Sequence, residues 1–422
     1  HSVQPEKYLE IDNFYTTTIY EKGAEIIRMS NLILNENKFK KGFKNFISKF
    51  DGKAATIDNF IDTIFLEEKE INVDVFKLWY KQNGTPKVTI KRNWDAIKKK
   101  LSLTFYQHDS SDKTLIIPIN IAVFTESKKF RKYKFILKDK KDTLIIEDLN
   151  TKFEKPIVTY FREFSAPVIW ETDTTYNEEI FIIENEVDLF SVYDSIDRLY
   201  KFIVSKRLEN EINFDIEDKL IKAIKSIINN KTNFNLNLLS EIISIPSFSN
   251  LESNLNKIEP QKLYKISQDL NYKFAKKLKI DLNNILENIE KDIYKRWPKG
   301  RDERKLIEKI WRLLLYTNET KLREKLITYI ETNNMTLSKS VLNVYQDFNF
   351  KERDIVSNKF FDKWNKNSIV LDSWFGFCAS IETDNYIENL ENLFNHKCFD
   401  IKSPNTLRSI LNGFVSNNRF FH

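Results

Sequence analysis

The residues best suited to chemistry lie in the run NFYTTTIYEKGAEIIRMSNLIL, at positions 13–34. Tyr20 is followed three and four residues later by Gly23 and Ala24, so on a helix one face would carry a phenol beside two very small side chains. A phenol has an ordinary pKa of about 10, so it keeps its proton at neutral pH and can donate a hydrogen bond to an oxyanion. The alternative is a half-buried tyrosine beside a close helix crossing, because a glycine inside a helix costs about 1 kcal/mol and usually has a packing or functional reason.

The helix that would position Tyr20 is indicated by its apolar residues. Three isoleucines recur at seven-residue steps, two more apolar residues widen the stripe, and three threonines are candidate caps: Ile19, Ile26, Ile33; Ile27, Leu34; Thr16, Thr17, Thr18. This pattern predicts an amphipathic helix of about four turns with Tyr20 in its first turn. The charged residues Glu21, Lys22, Glu25 and Arg28 have the spacing of ion pairs within a helix, which favours a structural role.

Several runs resemble, in the same order, the zinc aminopeptidases of the aminopeptidase N family, within the gluzincin metalloproteases. They are EIDNFYTTTIYEKGAEIIRM, FKKGFKNFISKFDGKAATIDNFIDTI, LWYKQNGTPKVTI, EFSAPV at 163–168, FDKWNKNSIVLDSWF at 361–375 and S-P-N-x-x-R-S at 403–409. In that family the tyrosine of the Y-E-K-G motif donates a hydrogen bond to the oxyanion of the tetrahedral intermediate. The resemblance therefore implies that Tyr20 is catalytic. Tyr15, five residues earlier, is a candidate for binding substrate on the leaving-group side, with simple packing as the open alternative.

The zinc site of that family is absent from this sequence. A gluzincin needs H-E-x-x-H on a helix, a downstream glutamate ligand and the motif glutamate as general base. The four histidines are His1, His108, His396 and His422; none is followed by glutamate and no two are four residues apart. The family's glycine-containing exopeptidase loop is missing as well. We therefore expect a C-terminal part of a longer zinc enzyme, which contributes no metal ligand and is inactive alone.

Composition excludes several other classes of function. The 67 basic and 61 acidic residues leave a net charge of only +6, which does not indicate a nucleic-acid partner. The lysine-rich run 128–141 is better explained by lysines that prevent exposed strand edges from pairing with other strands. No nucleic-acid partner is therefore expected. Two cysteines are too few for a disulfide framework and slightly favour a reducing compartment. No apolar run is long enough to predict a membrane span. The sequence leaves the compartment open and favours the cytoplasm or another soluble compartment over a membrane.

The periodicity of the apolar residues changes twice along the chain, which predicts a multidomain α+β fold. Residues 1–84 have the period of helices, with helices predicted at 38–50, from 56 and at 73–81. Residues 85–186 contain short alternating runs typical of a β-sandwich, at 87–91, 101–107, 115–124, 133–137, 144–147, 157–161 and 180–183. Residues 187–422 predict ten successive helices resembling an α-solenoid, at 188–208, 215–229, 260–278, 282–294, 302–316, 320–331, 337–348, 352–365, 385–395 and 404–414.

The resemblance implies a role for each of these three parts. Residues 1–84 would be the helical end of a thermolysin-like catalytic domain, 85–186 a β-sandwich module, and 187–422 a superhelical lid that encloses the substrate chamber and is cut short near His422. The whole protein would be a zinc-dependent aminopeptidase acting on peptides, with the missing N-terminal part as the partner of this chain. Two alternatives stay open: a non-enzymatic helical-repeat scaffold that binds a protein or peptide, and a gluzincin with another main substrate, such as an epoxide hydrolase.

Overall fold

The computed structural model describes residues 1–108, 114–212, 214–229, 235–252, 255, 259–295, 298–381, 383 and 385–416. The chain divides into two compact units, residues 1–195 and 196–422. The prediction that the helical domain is cut short near His422 concerns residues outside these described ranges. No helix within the described ranges is long and apolar enough to cross a membrane.

The first unit begins with helices whose starts are set by polar side chains. A 3₁₀ turn (Ile11–Phe14) and a π-helical turn (Thr18–Lys22) precede α1 (Gly23–Leu34), α2 (Glu36–Phe50), α3 (Ile57–Ile64) and α4 (Val73–Lys81). Asn35, Thr56 and Asn72 accept hydrogen bonds from backbone N–H groups in the first turns of α2, α3 and α4. These caps satisfy donors that have no partner inside the helix.

The β-sandwich follows in the same unit. In its described part the strands are β1 (Lys87–Asp95), β2 (Lys100–His108), β3 (Ile117–Glu126), β4 (Lys129–Leu137), β5 (Lys141–Ile146), β6 (Ile157–Thr159) and β7 (Ile169–Glu171). One sheet has the order β5-β2-β1-β7 and the other β4-β3-β6. β1 and β2 are antiparallel, with Ile90 opposite Phe105, and β7 is parallel to β1. The predicted sandwich is confirmed.

One predicted strand is wrong. Residues 180–183 belong to α5 (Tyr176–Asn185), which starts with a capping box between Thr175 and Glu178. A short apolar run fits a strand and a buried helix equally well, and the cap is the signal that separates them. The strand β7 was not predicted, because three residues give too little alternation to recognise.

The core of the first unit is continuous from the helices into the sandwich. Ile26 and Met29 of α1, Trp79 of α4 and Ile119 of β3 are fully buried in the same cluster. The Trp79 indole Nε1 donates to the Ile116 carbonyl at 2.9 Å. The helical segment and the sandwich are therefore held by shared apolar packing and a buried hydrogen bond.

The second unit is helical, and the unit boundary lies within the first helix of this list. The helices are α6 (Leu189–Leu208), α7 (Phe214–Asn229), α8 (Leu236–Ile242), α9 (Phe248–Glu252), α10 (Pro260–Ile289), α11 (Arg301–Leu315), α12 (Thr320–Ile330), α13 (Met335–Tyr345), α14 (Lys351–Trp364), α15 (Ser368–Ser380), α16 (Tyr386–Phe394) and α17 (Pro404–Val415). The series of helices agrees with the predicted fold class. The two helices predicted at 260–278 and 282–294 are instead one helix, α10, followed by a 3₁₀ turn (Glu290–Asp292). Helices α8, α9 and α15 were not predicted.

Candidate active site around Tyr20

Tyr20 lies in a π-helical turn, Thr18–Lys22, directly before α1. The prediction of a regular α-helical turn at this point is therefore wrong. The Thr16 Oγ1 accepts from the Ile19 N–H at 3.3 Å, which confirms one of the predicted caps, and the Tyr20 N–H donates to the Thr16 carbonyl at 3.1 Å. Threonine hydroxyls compete in this way for backbone donors, and single π-helical turns are frequent at functional sites.

The two candidate tyrosines lie side by side on the surface. Tyr20 is 57% exposed and Tyr15 is 67% exposed. Their ring centroids are 6.4 Å apart, with 26° between the ring planes. Among the residues that the structure describes, none makes a hydrogen bond to the Tyr20 hydroxyl. The half-buried tyrosine with a backbone partner, which was the alternative from sequence, is not observed.

The small residues after Tyr20 do not mark a close helix crossing. Gly23 is buried, but a Cβ placed on it would lie 3.5 Å from Val3 Cγ1, which is an ordinary van der Waals contact. Ala24 is exposed. The predicted stripe also needs one correction, because Ile27 is exposed while Met29 is fully buried. The inward face of α1 follows the spacing of residues 26, 29, 30, 33 and 34, and position 27 falls outside it.

The charged residues after Tyr20 make the contacts of a structural anchor. Arg28 Nε donates to Glu25 Oε2 at 2.6 Å, so the predicted ion pair between these two residues is confirmed. The Arg28 guanidinium also donates to the backbone carbonyls of Glu163 and Phe164. Lys22 Nζ donates to the Gly84 carbonyl at 2.9 Å. Spacing within the helix could predict the ion pair, but nothing local in the sequence signals the carbonyl contacts.

The described residues of this chain do not fit a zinc site. None of them forms a group of three or more histidine, cysteine, aspartate or glutamate side chains that could hold a metal ion. His1 Nδ1 lies 2.7 Å from the Ser2 carbonyl, and His108 Nε2 lies 3.1 Å from Thr89 Oγ1. His396 is surrounded by the rings of Phe361, Trp374 and Phe375. Burial, with the nearby Lys397 ammonium, lowers the pKa of His396.

Three known protein families match this chain in order. Residues 1–81 match the peptidase family M1 domain. Residues 84–173 match a domain of unknown function with an Ig-like fold (DUF3458). Residues 176–422 match a domain of unknown function with ARM repeats (DUF3458_C). The order of these matches agrees with a sandwich followed by a helical-repeat part.

Similar proteins match across the chain. Aminopeptidase N of Haemophilus influenzae is 28% identical, covering 100% of this chain and 50% of that protein. Aminopeptidase N of Escherichia coli is 27% identical, covering 99% of this chain and 50% of that protein. The crystal structure of Legionella pneumophila aminopeptidase A in complex with aspartic acid has the same fold, with a TM-score of 0.86 at 23% identity, covering 99% of this chain and 50% of that chain. This chain thus spans about half the length of these relatives.

Proposed function

This chain belongs to the aminopeptidase N family of the M1 peptidases, and we propose that it is part of a zinc-dependent aminopeptidase that hydrolyses N-terminal amino acids from peptides. The observation that carries the proposal is the match of nearly the whole chain to two proteins named aminopeptidase N. The zinc ligands, the general base and the groups that bind the substrate amine would lie in the other part of the protein, N-terminal to this chain. This division is supported by the lengths of the relatives, because this chain covers 50% of each of the two proteins named aminopeptidase N.

Tyr20 is the residue that we assign to catalysis. When a peptide bond is hydrolysed, the carbonyl oxygen becomes an oxyanion in the tetrahedral intermediate, and a protonated phenol can stabilise it by donating a hydrogen bond. The support is the exposed position of Tyr20 and the lack of a hydrogen-bond acceptor for its hydroxyl among the residues that the structure describes. A donor that none of the described residues engages is available to a substrate.

Tyr15 is assigned to substrate binding beside Tyr20. Its ring lies next to that of Tyr20, so a peptide that reaches one phenol would pass close to the other. Tyr8, Leu9 and Ile11, a few residues earlier, are each more than half exposed. A cluster of exposed apolar side chains is typical of a surface that contacts another part of a protein. We propose that the preceding part of the same protein packs against this segment.

The division into three parts belongs to the same proposal. Residues 1–84 would complete the catalytic domain, 85–186 would form the sandwich module, and 187–422 would form the helical domain that encloses the substrate chamber. The match of residues 176–422 to ARM repeats supports the last assignment, because stacked helical repeats build extended concave surfaces.

The test is the steady-state kinetics of Tyr20→Phe in the whole protein, folded and loaded with zinc, on an aminoacyl arylamide. We expect kcat to fall about a hundredfold to a thousandfold with little change in KM, because one oxyanion donor is lost. Tyr15→Phe is the matched control, since it removes a hydroxyl from the neighbouring ring, and it should change KM more than kcat. This chain alone serves as the blank and should release no amino acid.

The outcomes separate the candidate functions. Near-normal kcat in Tyr20→Phe would remove Tyr20 from the transition state and leave it as a surface residue. A whole protein that binds zinc but hydrolyses no aminoacyl arylamide would contradict the proposed activity. The helical-repeat scaffold and the gluzincin with another substrate would then be the functions to examine.

A further inference from the structure

The run EFSAPV, at residues 163–168, belongs to a turn with an unusual backbone. Phe161, Glu163 and Phe164 have φ angles of 51°, 59° and 50°, in the left-handed region. This conformation is costly for residues with a side chain, and it persists only where the surrounding structure holds it. Three such residues within four positions indicate that the turn, residues 161–165, is built to a fixed shape.

The surroundings of this turn hold it from several directions. Arg162 forms a buried ion pair with Glu186, with Nη2 to Oε1 at 2.9 Å. The Glu163 N–H donates to Asp188 Oδ2 at 3.1 Å. The Ser165 hydroxyl donates to the Pro118 carbonyl of β3 at 2.9 Å. The turn is therefore a rigid part of the sandwich.

The shape of the turn presents two neighbouring carbonyl groups to Arg28. The Arg28 Nη1 donates to the Glu163 carbonyl at 2.6 Å, and Nη2 donates to the Phe164 carbonyl. The Arg28 Cζ also lies 5.4 Å from the centre of the Phe164 ring. With Glu25 on Nε, every nitrogen of the guanidinium has a partner. This arrangement uses the planar fork of arginine, which lysine cannot reproduce.

A second cation, Lys22, forms hydrogen bonds near the beginning of the segment that carries Tyr20. Lys22 Nζ donates to the carbonyls of Gly84 at 2.9 Å and Gln82 at 3.4 Å, in the connection between α4 and β1. Lys22 is two residues from Tyr20, and Arg28 is about 12 Å further along from Tyr20 by helical rise. Residues 18–34, called the Tyr20 segment below, are thus bonded near their beginning to the connection before β1 and further along to the turn at 161–165.

We propose that Lys22 and Arg28 are positioning residues for Tyr20, which fix the phenol by anchoring its helix to backbone carbonyls of the connection before β1 and of the turn at 161–165. The inference rests on the proposed role of Tyr20. It follows from the geometry, because the Tyr20 side chain is exposed and its placement depends on the backbone that carries it. A misplacement of about 1 Å in a catalytic group can cost about a hundredfold in rate. Two anchors on one short segment restrict such movement.

The experiment is a double-mutant cycle for kcat in the whole, zinc-loaded protein. Lys22→Met and Arg28→Lys are each combined with Tyr20→Phe. In the Tyr20 background we expect each substitution to lower kcat about tenfold or more with KM little changed. In the Tyr20→Phe background the same substitutions should change the residual kcat by less than about twofold, because the group that they position is already lost. Lys22→Arg should restore most of the kcat lost in Lys22→Met.

The matched control is Lys138→Met. Lys138 Nζ also donates to a backbone carbonyl, that of Glu70 at 2.8 Å, but it is not part of the Tyr20 segment. Its kcat should equal that of the wild-type protein. Thermal unfolding of every variant identifies any loss of kcat that comes from loss of folded protein. If Arg28→Lys does not fold, the experiment relies on Lys22→Met. The contact of Lys22 with the Gly84 carbonyl is on the surface, so its loss should leave the protein folded.

Two results would overturn the inference. Equal losses of kcat in the Tyr20 and Tyr20→Phe backgrounds would mean that Lys22 and Arg28 do not act through Tyr20. Unchanged kcat in Lys22→Met and Arg28→Lys, while Tyr20→Phe is impaired, would refute positioning and leave the proposed function intact. Failure of the proposed function looks different, because Tyr20→Phe alone would then have near-normal kcat.

Discussion

The Tyr20 segment and the Glu217 cluster of the second unit use charged side chains in opposite ways. The Glu217 cluster consists of Arg207, Glu217 and Lys273. Glu217 is 1% exposed at its side chain and accepts from Arg207 Nε at 2.7 Å and Lys273 Nζ at 3.0 Å. Its charges are paired with one another. In the Tyr20 segment Lys22 and Arg28 donate to backbone carbonyls, Arg28 in addition to its ion pair with Glu25, and a phenol stays exposed.

The comparison teaches which features of this chain indicate function. Burial favours the neutral form of Glu217, but the hydrogen bonds and charges of Arg207 and Lys273 outweigh it and lower the pKa of Glu217. A carboxylate with a perturbed pKa is often taken as a functional candidate, but ion-pair networks perturb pKa values as well. In this protein the paired, buried carboxylate is structural, and the exposed donor is the better candidate for catalysis.

The largest effect that would test this contrast is the loss of stability in Glu217→Gln. The change leaves Arg207 and Lys273 without their shared buried counter-ion, so we expect the free energy of unfolding to fall by about 3 kcal/mol. Asp218→Asn is the matched control, because Asp218 is more than half exposed and its pair with Lys273 is worth about 1 kcal/mol or less. Urea unfolding of this chain measures both. A loss below about 1 kcal/mol in Glu217→Gln would place the cluster among ordinary surface pairs.

The pH dependence of stability gives a second test of the same cluster. Since the folded pKa of Glu217 is lowered, its contribution is present above the unfolded value of about 4.3 and is lost as the pH falls through the folded pKa. The difference in unfolding free energy between wild type and Glu217→Gln should therefore narrow in acid. We expect about 1.4 kcal/mol of narrowing for each unit by which the pKa is lowered.

Urea unfolding at pH 7 and at several values below pH 4 measures this difference. Glu217→Gln removes only one titrating group, so acid effects that are common to both proteins cancel in the comparison. A difference that stays constant through the acid range would mean that Glu217 is not held in its ionised form by the cluster.

The fold was predictable where the periodicity was long and one-sided. The alternating runs of β1 and β2 and the single apolar stripes of α7 and α11 were predicted within a few residues of their observed bounds. Helix α15 was not predicted, because its apolar residues occur on several sides and define no stripe. Residues 180–183 were assigned to a strand because their apolar character was weighed without the capping box before them.

The candidate site was predictable only in its local part. The Y-E-K-G resemblance indicated Tyr20, and helical spacing indicated the pair of Glu25 with Arg28. The other contacts of Arg28 are made to carbonyls 135 and 136 residues away, and only the fold brings them together. The π-helical turn at Thr18–Lys22 could not be predicted from the sequence either. A threonine hydroxyl that accepts from one backbone N–H leaves no periodic pattern in the sequence.

The smallest expected effects are those of alanine substitutions at two glycines of the first unit, Gly42 and Gly23, which differ in the space around them. A Cβ on Gly42 in α2 would lie 2.8 Å from the Ile64 carbonyl oxygen, so Gly42→Ala must push α2 and α3 apart at a cost of about 1–3 kcal/mol. A Cβ on Gly23 would make only an ordinary contact with Val3, so Gly23→Ala should leave stability unchanged or raise it by up to about 1 kcal/mol. Urea unfolding of this chain distinguishes the two.

The kinetics of Gly23→Ala in the whole protein then decide what the glycine of the Y-E-K-G motif does. If Gly23 has only a packing role, kcat and KM should stay near their wild-type values, because its surroundings accommodate a methyl group. A large loss of kcat with unchanged stability would mean that a group outside the described residues approaches the helix at Gly23. The Tyr20 segment would then differ from the Glu217 cluster in a second respect: its constraints would come from the substrate side of the protein as well as from its own core.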